Sequence, residues 1–143
     1  MTSFRELFRR LGSVPEQSRA ARAVELYGWL LLLEGGLILI FPDFVASLLR
    51  FAPLQPQASN FLRLAGVLVA GIGMLYTISG RMNAEGFVFA SLLDRPVVPP
   101  VAALLWYLGL LPGSLALLFA LEDFSSWLWT LLRWRAEMRR TEI

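Results

Sequence analysis

The chain has 143 residues, of which 57% are hydrophobic and 17% charged, and its formal net charge is +2. Soluble domains carry about 45–50% apolar and about 25% charged residues, so this composition indicates a single integral membrane domain. Because the sequence has no Cys and no His, it excludes disulfides, thiolate and imidazole metal sites, and catalysis by a Cys nucleophile or a His base. We predict no metal site, no cofactor and no catalytic residue.

The N-terminal segment 1–18 interleaves basic and apolar side chains. Arg5, Arg9 and Arg10 alternate with the apolar residues Phe4, Leu7, Phe8 and Leu11. This spacing is typical of an amphipathic helix on anionic lipid headgroups, where each basic residue contributes about 1 kcal/mol. We therefore predict an interfacial helix bound to the lipid bilayer, and no nucleic-acid partner.

Four segments are long enough to cross a bilayer as helices, which takes about 20 residues for a core of about 30 Å. They lie at 19–41, 58–80, 84–111 and 113–135, within a transmembrane domain at 19–138 that a tail at 139–143 follows. Pro42 ends the first span, and Pro112-Gly113 is the expected turn between the last two. The predicted fold is an all-α bundle of four antiparallel transmembrane helices.

Arginines flank this domain on both sides. Arg19 and Arg22 open the first span, and Arg133, Arg135, Arg139 and Arg140 follow the last. Positively charged flanks stay in the cytoplasm, so we expect both termini on the cytoplasmic side of a bacterial inner membrane. The alternative is a kinked span at 101–121 with a surface helix at 124–138. That arrangement has three spans and exports four arginines, so four spans are favoured.

The second span carries a stripe of small residues. Its members recur at alternating spacings of four and three, and they are Ser59, Arg63, Gly66, Ala70, Gly73, Thr77 and Gly80. Lipid offers helices no hydrophobic reason to associate, so small residues mark the face where backbones approach closely. The stripe predicts a helix-packing seam, with a ligand-facing groove as the alternative, and places Arg63 inside the bundle.

Ionisable side chains interrupt the apolar runs. At 1.5 Å per residue, Glu34 and Arg63 lie about 10 Å below the outer ends of their spans, and Glu122 and Asp123 about 14 Å below theirs. We expect Glu34 to pair with Arg63, with Glu122 or Asp123 completing the network. The alternative is a ligand- or ion-contacting site, since intramembrane charges are functional candidates. Gly35 and Gly36 should let a partner helix approach closely.

The third span contains the run Asp94-Arg95-Pro96-Val97-Val98-Pro99-Pro100. Its prolines remove backbone donors, which predicts a break or kink. We expect Asp94 and Arg95 to satisfy the freed carbonyls and each other; a discontinuous helix that lines a cavity is the alternative. Tyr76 and Tyr107 are candidates to line a pocket, although aromatic residues also collect at the water interface.

Residues 60–95, NFLRLAGVLVAGIGMLYTISGRMNAEGFVFASLLDR, open with Arg-x-x-Gly and contain a glycine-rich second helix. This stretch resembles small bacterial four-span membrane proteins of DoxX-like or uncharacterised type. The resemblance implies a four-helix bundle and brings no catalytic residue with it.

Three functions remain open from the sequence. The favoured hypothesis is a non-enzymatic membrane protein that binds a lipophilic molecule or serves as an accessory subunit of a larger membrane complex. The second is a small transporter or channel that works as a homo-oligomer, with Glu34, Arg63, Glu122 and Asp123 along its pathway. The third is a membrane enzyme on a lipid or isoprenoid substrate, with Glu34 or Asp123 as general acid or base.

Overall fold

The computed structural model describes residues 3–13 and 17–141, and this part of the chain is helical with no β-strand. The predicted all-α class is confirmed. The helices are α1 (Phe4–Gly12), α2 (Arg19–Ile40), α3 (Pro42–Leu48), α4 (Pro56–Arg81), α5 (Glu85–Asp94), α6 (Val98–Tyr107) and α7 (Gly113–Thr141), with a 3₁₀ turn at Arg95–Val97 between α5 and α6.

Four helical segments are long and apolar enough to cross a membrane, which indicates a membrane protein. They are Arg19–Ile40, Pro56–Arg81, Glu85–Tyr107 and Gly113–Arg139. The alternative with a single helix at 101–121 is wrong, because α6 ends at Tyr107 and α7 begins at Gly113. The last helix continues through 135 and most of the predicted tail; residues 142–143 of that tail lie outside the described residues.

The third span ends earlier than the predicted residue 111, because Gly109 turns the chain. Gly109 has a φ of +70°, which glycine adopts without steric cost. The N–H of Leu110 donates to the Leu105 carbonyl at 2.9 Å, and that of Gly109 to the Trp106 carbonyl at 2.9 Å. This is the Schellman pattern of a helix C-terminus, so the reversal starts before Pro112-Gly113.

The short helix α3 was not predicted, because Pro42 was expected only to end the first span. Proline is well suited to the first turn of a helix, where its missing N–H has no intrahelical partner, and Pro42 begins α3 in this way. The hydroxyl of Ser114 donates to the Leu49 carbonyl at 2.7 Å. This bond joins the end of α3 to the start of α7.

Helices α2 and α4 form the largest helix–helix interface. A methyl group at Gly73 would lie 2.6 Å from the Leu32 nitrogen and 2.8 Å from the Gly28 carbonyl oxygen. The same close approach recurs along the seam, where Gly66 meets Gly35 and Gly80 meets Ala21 and Glu25. Ala70 and Thr77 contact the α2 glycines from the same face. The packing role predicted for Gly66, Ala70, Gly73, Thr77 and Gly80 is confirmed.

The two glycines beside Glu34 differ. A methyl group at Gly35 would lie 2.4 Å from the Ala70 nitrogen, whereas one at Gly36 would meet nothing within 4 Å. The expectation that these glycines let a partner helix approach closely is therefore right for Gly35 and wrong for Gly36. Consecutive helical residues point about 100° apart, since 3.6 residues complete a turn, so only one of the two can face α4. Gly28, seven residues before Gly35, completes the seam.

Polar contacts gather at the end of the bundle where α2 starts and α4 and α7 finish, which we call the terminal end; the opposite end, with α3, is the loop end. Arg81 contacts Glu25 at 3.4 Å, and its Nε donates to the Leu11 carbonyl of α1 at 2.7 Å. Gln17 donates to Glu25 at 2.7 Å and to the Gly80 carbonyl at 2.9 Å. The bond from Arg81 to Leu11 attaches α1 to the bundle.

The predicted amphipathic helix is present as α1. Phe4 and Phe8 are exposed on it, and Glu6 forms ion pairs with Arg9 at 2.7 Å and Arg10 at 3.3 Å. Within the predicted 1–18 segment, residues 1–2 and 14–16 lie outside the described residues. An exposed aromatic face beside a basic one suits a position at a membrane surface.

Candidate functional site

The third span is broken at its centre by the 3₁₀ turn Arg95–Val97, as predicted. Pro96 has no N–H, so the Leu92 carbonyl loses the partner that it would have in a continuous helix. The indole Nε1 of Trp127, on α7, donates to this carbonyl at 3.0 Å. A side chain from a neighbouring span therefore stabilises the break.

Other backbone groups at the break are satisfied locally. The Arg95 carbonyl, which Pro99 cannot serve, accepts from the Val98 N–H. Asp94 makes no side-chain capping bond to the turn. The expectation that Asp94 and Arg95 would satisfy the Leu92 and Arg95 carbonyls is wrong, because an indole and a tighter backbone turn already do so. Asp94 and Arg95 also form no ion pair with each other among the described residues.

Arg95 points into the core, where its side chain is only 1% exposed. Its guanidinium carbon lies 4.1 Å from the Tyr27 ring centroid and 4.8 Å from that of Tyr76. The Nη1 group donates to the Thr130 hydroxyl at 3.3 Å. A desolvated cation over an aromatic face is stabilised by about 2 kcal/mol, so the guanidinium links α2, α4 and α7 to the break.

Tyr27 connects this cation to an anion. Its hydroxyl donates to Asp123 Oδ1 at 2.9 Å, while its ring lies under the Arg95 guanidinium. Tyr27 and Tyr76 pack edge to face, with ring centroids 5.4 Å apart. We call Tyr27, Tyr76, Arg95, Asp123 and Thr130 the Arg95 cluster. It places one positive and one negative group in the interior, joined through a tyrosine.

The hydrogen-bonding capacity of the Arg95 cluster is only partly used. The Nε and Nη2 groups of Arg95 are buried and have no hydrogen-bond partner among the described residues. Leaving a buried donor unpaired costs about 1–3 kcal/mol, and more for a charged group. The guanidinium is therefore held chiefly by the two aromatic rings and the Thr130 hydroxyl.

On the other face of the break, Asp94 lines an open groove between α6 and α7. The groove has a volume of about 380 Å³, and its apolar lining consists of Val97, Val98, Val101, Ala102, Leu105, Leu111 and Phe119. Asp94 is exposed, and among the described residues no cationic side chain lies within ion-pair distance of it. We call this feature the Asp94 groove.

Glu34 and Glu122 lie side by side, on α2 and α7. Their carboxyl groups are within hydrogen-bonding reach, and both side chains are half-buried. Glu34 is next to Gly35, so when Gly35 faces α4 the carboxyl turns toward α7 instead. Two carboxylates repel each other in an apolar setting, and a proton or a small cation between them would offset that repulsion.

The predicted pair of Glu34 with Arg63 is wrong, and Arg63 does not point into the bundle. Among the described residues these two form no ion pair; Arg63 is exposed, and its Nη1 donates to the Leu39 carbonyl at 2.8 Å. Leu39 lies in the last turn of α2, where carbonyls lack intrahelical partners and carry partial negative charge. Arg63 caps that helix end.

The two tyrosines predicted to line a pocket, Tyr76 and Tyr107, lie in different environments. Tyr76 is buried in the Arg95 cluster, whereas Tyr107 is 83% exposed at the end of α6 and lines neither the cluster nor the groove. The expectation of a pocket-lining Tyr107 is wrong. Its position at a helix end, next to the Gly109 turn, is the one that aromatic residues take at a membrane–water interface.

Three residues of the site were missed, namely Tyr27, Trp127 and Thr130. A signal for the last two was present, because Asp123, Trp127 and Thr130 are spaced by four and three and share one face of α7. Tyr27 lies seven residues before Glu34, so these two also share a face. Taken together, these spacings indicate a polar stripe on α2 and another on α7 that meet across the bundle.

The site combines a buried polar cluster with an open groove. Among the described residues, no group of three or more His, Cys, Asp or Glu side chains could hold a metal ion. The Arg95 cluster is enclosed, whereas the Asp94 groove is open and presents one carboxyl beside an apolar surface. The groove is thus the part of the site that is accessible from outside the bundle.

No protein-family model matches the chain, and comparisons with curated proteins and with solved structures also gave no match.

Proposed function

We propose that this chain is a small non-enzymatic membrane protein that binds a lipophilic molecule in the Asp94 groove. The observation that carries the proposal is the groove itself, an apolar recess of about 380 Å³ with a single carboxyl at its edge. Small-molecule sites typically measure about 300–1,000 Å³ and combine an apolar lining with a few polar groups. The groove has both properties.

The depth of the groove supports an occupant drawn from the bilayer. Asp94 lies nine residues after the start of the third span at Glu85, which is about 14 Å at 1.5 Å per residue. This is close to the middle of a hydrocarbon core of about 30 Å. A molecule that reaches Asp94 from the side therefore enters through the acyl-chain region and needs an apolar body.

The Arg95 cluster supports the same role by stabilising the wall of the groove. Asp94 and Val97 line the groove, and Arg95 between them anchors the turn to Tyr27 and Tyr76. A recess whose backbone is already in place loses little conformational entropy when it binds a ligand. The buried cation is better suited to holding this turn than to conducting cations past it.

For location, we propose the inner membrane of a bacterium, with both termini in the cytoplasm. The arginines at 5–22 and 133–140 flank the helical bundle on the terminal end, and the positive-inside bias retains such flanks. We also propose, from the resemblance of residues 60–95, that the chain is related to DoxX-like four-span proteins. Such a relationship agrees with this placement.

The test is native mass spectrometry after mild detergent extraction. Val101 lines the groove and is 47% exposed, and Val67 on α4 is 48% exposed outside it, so Val101→Trp and Val67→Trp form a matched pair. We expect a retained lipophilic molecule in the wild type and in Val67→Trp, and its loss in Val101→Trp. Equal retention in both variants, or retention in neither the wild type nor the control, would contradict the proposal.

A second candidate function has one observation in its favour, the contact between Glu34 and Glu122. Carboxyl groups inside membrane proteins mark proton and ion pathways. If the chain transports protons as an oligomer, proteoliposomes should show a proton flux that Glu34→Gln abolishes and that the exposed Glu85→Gln leaves unchanged. The absence of flux in wild-type liposomes would exclude this candidate.

A further inference from the structure

Asp94 is placed unfavourably for a carboxylate that has no ligand. It lies near the middle of its span and is exposed on the outside of the broken helix. An ionised carboxylate at such a depth is costly to insert, and intramembrane charges are retained chiefly where they are paired or have a function. A partner is therefore expected, and the open side of Asp94 is the groove.

The natural intramolecular partner, Arg95, is engaged elsewhere. Its guanidinium lies over the rings of Tyr27 and Tyr76 and donates to the Thr130 hydroxyl. The side chain is almost completely buried, whereas Asp94 is exposed. The break thus buries the guanidinium and leaves the carboxylate exposed, so Asp94 remains available to the groove.

The lining restricts the chemistry of an occupant. Asp94 is the one ionisable residue among the eight that line the groove, and the other seven are apolar. A carboxylate accepts hydrogen bonds and donates none, and its charge-assisted bonds are about twice as strong as neutral ones. An anionic head would be repelled, and a neutral hydroxyl would donate a single hydrogen bond without neutralising the carboxylate charge.

We infer that the occupant of the Asp94 groove is a lipophilic amine, whose ammonium group binds the Asp94 carboxylate while its apolar chain lies along Val98, Val101 and Leu105. This inference rests on the proposed function, because it assigns the ligand class of the same groove. The ammonium supplies up to three donors, and the ion pair neutralises a charge that the bilayer disfavours.

The experiment uses three photoreactive probes with the same diazirine-bearing dodecyl chain and different heads: a primary amine, an alcohol and a carboxylic acid. The full-length protein is placed in phosphatidylcholine nanodiscs, and crosslinks within 97–105 and 111–119 are quantified by mass spectrometry. We expect the amine to half-saturate these sites at a concentration at least about tenfold lower than the alcohol does. The acid should label them least.

Substitutions test whether the Asp94 carboxylate causes the preference for the amine probe. Asp94→Asn should raise the half-saturating amine concentration about tenfold, to that of the alcohol, and Asp94→Glu should restore most of the preference. Glu85→Gln, which removes an exposed carboxylate at the start of the span, should leave it unchanged. Alcohol labelling of Asp94→Asn that matches the wild type would show that the variant is folded.

The outcomes separate the inference from the proposed function. If amine and alcohol label the groove equally, or if Asp94→Asn keeps the amine preference, the amine inference is wrong while the groove still binds lipophilic molecules. If no probe labels the groove above the lipid-facing surface around Val67, the proposed function fails as well.

Discussion

The guanidinium carbon of Arg95 lies 4.1 Å from the centroid of the Tyr27 ring, and the hydroxyl of the same tyrosine donates to Asp123. Tyr27 therefore contacts the cation with its face and the anion with its edge. The ring and the hydroxyl contribute separately, so they can be removed separately. This makes the cluster accessible to substitutions that change one interaction at a time.

Tyr27→Phe should lower the free energy of unfolding because it leaves Asp123 without its tyrosine donor and keeps the ring under Arg95. A double-mutant cycle with Asp123→Asn should give a coupling energy of about 1 kcal/mol. Stability can be measured by SDS titration in mixed micelles. Tyr107→Phe, at an exposed tyrosine, is the matched control and should show no coupling to Asp123→Asn.

Gly73→Ala should loosen the seam between α2 and α4. The added methyl group would lie 2.6 Å from the Leu32 nitrogen, which is backbone and cannot move by itself, so we expect a loss of about 1–3 kcal/mol. Gly71→Ala, two residues away, would meet nothing within 4 Å and should be neutral or stabilise α4 by up to about 1 kcal/mol. Equal effects in the same titration would contradict the seam.

Trp127→Phe should destabilise the break in the third span. It preserves an aromatic ring and removes the indole N–H that serves the Leu92 carbonyl, at a cost of about 1–3 kcal/mol. Hydrogen exchange should accelerate around residues 92–98. Trp129→Phe, at a more exposed tryptophan of the same helix, should leave this exchange unchanged; acceleration in both variants would argue against a specific role of Trp127.

Arg63→Gln should weaken the C-terminal cap of α2 by about 1 kcal/mol, because the Leu39 carbonyl loses a charged donor. Since Arg63 and Glu34 form no ion pair, the losses in Arg63→Gln and Glu34→Gln should add to within about 0.5 kcal/mol. Restored stability in the double variant would instead support a direct interaction between these two side chains.

The fold was largely predictable from the sequence, because it depends on local properties. Four long apolar runs determine four spans, and glycines at alternating spacings of four and three identify the α4 face that meets α2. The errors lie at helix ends. The third span stops at Gly109 and α3 begins at Pro42, since a glycine or proline can act on either side of a boundary.

The site was predictable only in part. Arg95, Asp123 and Tyr76 could be named individually, but their meeting with Tyr27 depends on which faces of separate helices pack together. The prediction that Glu34 pairs with Arg63 is wrong for a related reason. Equal depth in the bilayer brings two charges to the same level, whereas their direction around each helix decides whether they touch.

The seam between α2 and α4 repeats every seven residues on both helices, with Ala21, Gly28 and Gly35 facing Gly80, Gly73 and Gly66. A slide of one helix by one or two residues would drive side chains into backbone. The next register that fits lies a full repeat away, about 10 Å, and would pull Arg81 or the cap at Leu39 out of place. This helix pair can tilt as a unit but cannot shear, so any motion that opens the groove must come from the broken third span or from α7.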